Sequence, residues 1–91
     1  MSKALKLFKS KEHKSRSDVV GFLKQLAEKI ENGNVTLRGG SEEIRLEIPD
    51  KVVLEVEVDE EEKKAKGKEH SLEIEIKWYD KDILNDSIKI E

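Results

Sequence analysis

Cysteine is absent from this sequence. Disulfides, thiolate zinc sites and a cysteine nucleophile are therefore excluded. Aromatic residues make up only 4% of the chain, so the core must be built mainly from aliphatic side chains. Proline occurs once, at Pro49, and glutamine once, at Gln25. No apolar run approaches membrane-spanning length, and no signal-peptide core opens the chain. A cytoplasmic location is the expectation. Abundant Lys and Glu beside so little amide lean towards a thermophile-like composition.

What is present is charge. Charged residues reach 43% of 91 residues against 35% hydrophobic, with a formal net charge of −3. That balance sits close to the disordered class, so order must come from where the apolar residues are placed. A chain this short makes one domain and needs nearly every apolar residue for its core. The charge is unevenly spread. Lys3, Lys6, Lys9, Lys11, Lys14 and Arg16 face only Glu12 in the first sixteen residues. Such asymmetry reads as solubilising charge or as an electrostatic arm.

Val19, Phe22, Leu23, Leu26, Ala27 and Ile30 recur at helical spacing and predict one amphipathic helix. Ser15 or Ser17 can cap its first turn, and Asp18 suits the positive end of the helix dipole. Gly33 stands where a left-handed residue ends a helix. Gly21 lies inside and costs about 1 kcal/mol against Ala; it reads as a close approach to the sheet or as a tolerated defect.

After the helix the period changes to 2. Strands are predicted over residues 35–38, 44–48, 52–58 and 72–78, with turns at Gly39-Gly40 and Pro49-Asp50. Residues 59–70 read as an exposed loop with Gly67 near a turn. A short strand over 4–9 is a further expectation. The architecture that follows is α+β: a single helix packed on one face of a four- to five-stranded, mainly antiparallel sheet, in a β-α-β-β-β meander. The domain is expected to run over residues 1–78, with 79–91 as a C-terminal extension. Residues 87–91 alternate like another strand and are an alternative occupant of a sheet edge.

Strict alternation marks a sheet wet on one side. It puts Leu72, Ile74, Ile76 and Trp78 on the core side, Trp78 with the further option of a binding edge beside Tyr79. Glu47, Glu55, Glu57, Glu73 and Glu75 fall on the open side with Arg45 and Lys77. That acidic face reads as a solvated surface, as a docking face for a basic partner, or as a weak divalent-cation surface. His13 and His70 have no metal-ligand partner at helical or hairpin spacing, and no serine lies in a nucleophile elbow. Gly39-Gly40 lacks the Lys-Ser/Thr of a phosphate loop. The run Asp80–Asp86 lacks the glycine and following helix of a calcium loop.

Four segments together resemble the amphi-Trp domain family: Lys14-Ser-Arg-Ser-Asp-Val-Val, Phe22-Leu-Lys-Gln-Leu-Ala-Glu-Lys-Ile, Ile48-Pro-Asp and Leu72-Glu-Ile-Glu-Ile-Lys-Trp78. The closing strand with Trp78 carries the most specific part, over a match spanning roughly residues 5–78. The resemblance implies the fold and supplies no catalytic residues. No enzyme, cofactor, resident metal, membrane or small-molecule substrate is expected. The expected function is a structural or protein-interaction module using the acidic sheet face or an edge strand, with an unknown protein partner or self-association. The alternative is weak nucleic-acid binding through the basic N-terminal segment.

Overall fold

The computed structural model describes residues 4–81. Lys3 and the alternative C-terminal strand lie outside the described residues. The chain divides into two compact units, Met1–Asp50 and Lys51–Glu91.

The first unit holds helix α1 (Arg16–Glu31) and strands β1 (Asn34–Gly39) and β2 (Glu42–Glu47). Ser15 is the N-cap: its backbone is extended and its Oγ accepts from the Asp18 N–H at 3.0 Å. Ser17, the other capping option, lies within the helix. At the far end the Asn32 N–H is shared between the Glu28 and Lys29 carbonyls, and Gly33 N–H donates to Ile30 O at 2.9 Å. Gly33 then takes a φ of +85°, a conformation glycine adopts without penalty. Its carbonyl accepts from the Ile48 N–H at 2.8 Å, tying the helix end to the residue beyond β2.

β1 and β2 are antiparallel, with Val35 opposite Leu46 and Leu37 opposite Ile44. Gly39 pairs with Glu42, so the turn is the two residues Gly40 and Ser41. Gly40, with φ +59°, fills the first central position that such hairpin turns reserve for glycine. The helix lies against β1, with Leu26 and Ile30 half-buried on its inner face. Val35 is the single buried hydrophobic residue among the described ones, 3% exposed.

Residues 4–9 form no strand. Phe8 instead packs its ring on Gly39, where a Cβ would stand 3.0 Å from the ring edge. The segment thus meets β1 through the Phe8 ring and not through a strand ladder. Gly21 faces open space within 4 Å of a would-be Cβ, so it is the tolerated defect and not a point of close approach.

The second unit is a hairpin of β3 (Val53–Lys63) and β4 (Gly67–Lys77). Its register runs unbroken from Val53↔Lys77 to Lys63↔Gly67. The exposed loop expected over 59–70 is therefore mostly strand, turning only at residues 64–66. Gly67, φ +77°, closes that turn. The outer cross-strand pairs Glu60↔His70 and Glu62↔Lys68 join acid to base, and such pairs stabilise the tip half of the ladder, which has no apolar side.

Pairing of β2 with β3, which a single meander needs, is not seen among the described residues. Among the described residues β1–β2 and β3–β4 are two separate two-stranded sheets. Residues 48–52 join β2 to β3 without a tight turn, and Pro49 has no N–H to offer a ladder. Leu54, Val56, Val58, Leu72 and Ile74, expected in the core, are 63%, 56%, 74%, 66% and 56% exposed.

Candidate functional site

The β3–β4 hairpin turns alternation into two chemically opposite faces. Successive side chains of a strand point to opposite sides, and the register matches parity across the two strands. Leu54↔Ile76, Val56↔Ile74 and Val58↔Leu72 form one apolar ladder. Glu55↔Glu75 and Glu57↔Glu73 form an acidic ladder on the other side.

The acidic face gathers Glu55, Glu57, Glu73, Glu75 and Lys77, five of the residues singled out by pattern. Glu47 and Arg45 lie on β2 of the first unit, opposite Asn34 and Thr36. They therefore belong to a different hairpin from the other five. Asp59 was missed, because it sits where the pattern read as loop. It extends the acidic ladder: one carboxylate oxygen each from Glu57, Asp59 and Glu73 falls within 4.8 Å of the others, all exposed. Glu61 and Glu69 continue the same parity towards the tip, opposite one another.

Like charges directly opposite on a sheet destabilise it, and Lys77 offsets this at the base of the ladder. Its Nζ lies 3.5 Å from Glu55 Oε1 and 3.4 Å from Glu75 Oε1. The Glu55 charge, then a hydrogen bond to Glu75, push the Lys77 pKa up from its ordinary value. Lys63 sits near Glu61 at the tip, 3.3 Å away. Between those lysines no cation among the described residues forms an ion pair with the Glu57–Glu73 rung. A shallow hollow of about 310 Å³ opens there, lined by Glu55, Glu57, Glu73, Ile74 and Glu75.

The basic segment is dispersed by comparison. Lys6, Lys9, Lys11 and Lys14 lie on irregular, exposed backbone and Arg16 begins α1. Lys14 is spent on Glu12 at 3.5 Å. His13 is exposed, and His70 Nδ1 stands 3.4 Å from Glu60 Oε2 in an exposed pair. Trp78 follows β4 directly and is half-buried, with Tyr79 58% exposed beside it. No helix among the described residues is long and apolar enough to cross a membrane.

One capped helix, two antiparallel hairpins and an amphipathic last strand that runs into a tryptophan define a small α+β domain. The chain belongs to the Amphi-Trp domain family, whose model matches residues 1–91, the whole chain. Nothing matches among curated proteins or among solved structures.

Proposed function

We propose that this chain is a non-enzymatic protein-interaction module that offers the acidic face of the β3–β4 hairpin to a partner with a basic surface. The observation that carries the reading is the direct opposition of Glu57 and Glu73, with Asp59 beside them and no ion-paired cation on the rung among the described residues. An arrangement that costs the free hairpin stability is relieved when a cationic surface covers it. The carboxylates are exposed, so attraction begins before contact and is screened by salt. The basic segment supports nucleic-acid binding less well, since its cations share no element and the hairpin would repel phosphate.

The test is affinity capture by the wild-type chain and by a chain carrying Glu55→Gln, Glu57→Gln, Glu73→Gln and Glu75→Gln. A basic protein retained by the wild type, released by moderate salt and lost with the variant supports the reading. Equal recovery by both chains, with the variant's circular dichroism unchanged, rejects it.

A further inference from the structure

We infer that the apolar face of the β3–β4 hairpin is an interface with a second copy of this chain, packed face to face about a two-fold axis parallel to the strands. Two strands alone do not make a stable sheet in water; they need further strands or a covering layer on their apolar face. Here Leu54, Val56, Val58, Leu72 and Ile74 are all more than half exposed. Together they present on the order of 500 Å² of apolar surface, the size of the largest patch on an ordinary monomer. Doubled across a two-fold, that is about 1,000 Å², the area at which a specific interface becomes credible.

The same face also complements itself in charge. Beyond the ladder it continues with Glu60 and Glu62 on β3, and with Lys68 and His70 on β4. An axis parallel to the strands sets β3 of each copy over β4 of the other, both tips at the same end. Each residue then meets its own cross-strand partner from the second chain. Val56 stands over Ile74, Val58 over Leu72, and Glu62 over Lys68. The two acidic faces point away from each other, so the packing adds no repulsion between Glu57–Glu73 rungs. A two-fold that reversed the tips about the Val56–Ile74 rung would also bury the apolar ladder, but it would leave the Glu60–His70 and Glu62–Lys68 rungs beyond the partner's ladder, without the cross-copy charge pairs. This interface uses the side of the hairpin opposite the acidic docking face and does not depend on that face having a partner.

Light scattering on the full chain at micromolar concentration is expected to give twice the chain mass. A monomer mass overturns the proposal, since the ladder is then left bare or covered by the chain's own residues. Geometry is tested without removing the core. The chain has no cysteine, so Val58→Cys chains can be mixed with isotope-labelled Leu72→Cys chains and treated with a short thiol cross-linker. A mixed product is expected there, and none when Val58→Cys is mixed with Ile76→Cys. The reverse preference overturns the parallel two-fold. Glu57→Gln with Glu73→Gln is expected to leave the dimer mass unchanged. A fall to monomer would place the contact on the acidic face and overturn the assignment.

Discussion

Glu57 and Glu73 stand directly opposite each other across the β3–β4 ladder, between two further rungs of like charge, Glu55↔Glu75 and Glu61↔Glu69. Two carboxylates held this way repel by a few tenths of a kcal/mol. Replacing either by Lys converts the repulsion into an attraction of the same order. The Glu73→Lys chain should therefore unfold at a higher temperature than wild type at low salt. The difference should shrink as salt screens the pair. Thermal melts at two salt concentrations check both parts.

Lys77 behaves in the opposite sense. Its pKa is raised in the folded chain by Glu55 and Glu75, so its contribution is fully present below the ordinary lysine pKa. It is lost as pH climbs through the raised value. Denaturant melts should show stability declining in that alkaline range, and Lys77→Met should remove that part of the decline. The variant should also be less stable than wild type at neutral pH and low salt.

Ser15 satisfies the Asp18 N–H at the start of α1. Ser15→Ala is expected to cost about 1 kcal/mol, in line with other N-cap removals. Ser17→Ala, one turn position inside the helix, should cost far less. Chemical denaturation of the two variants separates them.

Two glycines should respond oppositely to alanine. Gly33 holds φ at +85°, where a Cβ costs roughly 1–2 kcal/mol. Gly21 is helical with nothing within 4 Å of a Cβ, so Gly21→Ala should stabilise by about 0.5–1 kcal/mol. Paired melts read the two signs.

Val35 is 3% exposed, facing α1 from β1. Val35→Ala removes two methyl groups from the one buried hydrophobic position among the described residues and should cost about 2 kcal/mol. The same change at Val58, 74% exposed, is expected to cost much less in a monomeric chain. It should weaken association in the two-copy assembly, a contrast that melts at several protein concentrations reveal.

The local features were readable because each has a short-range cause. A 3.6-residue stripe over Val19–Ile30, a capping serine and Gly33 specify a helix with both ends. Period-2 alternation assigns Glu55, Glu57, Glu73 and Glu75 to one face and Val56 and Ile74 to the other. Pairing is a different matter, because alternation says which side a residue faces and not which strand lies next to it. One meander and two separate hairpins have the same parity, so the partition at residues 48–52 was hidden. The outer half of β3–β4 was hidden for another reason. Residues 59–63 and 67–71 carry almost no apolar side chains, so no period shows. Their signal lies in cross-strand charge, Glu62 with Lys68 and Glu60 with His70, which becomes visible only once the turn at 64–66 is known. Residues 4–9 misled in the opposite way, since alternating Leu5 and Leu7 promised a strand but are 82% and 62% exposed, while Phe8 makes the contact.

The unbroken register from Val53 to Gly67 has a consequence for how this hairpin tolerates change in length. Deleting one residue from each arm between Asp59 and Ser71 brings a new pair of neighbours together and leaves every rung below it in place. Deleting a residue from one arm alone leaves an odd residue for the turn or a bulge to absorb; where it is not absorbed, the register slips and sets a glutamate opposite each valine. Shortening or growth at the tip thus preserves the ladder in symmetric steps and costs a bulge or a new turn in single ones, as with a zip fastener that closes cleanly only when both tapes are cut to one length.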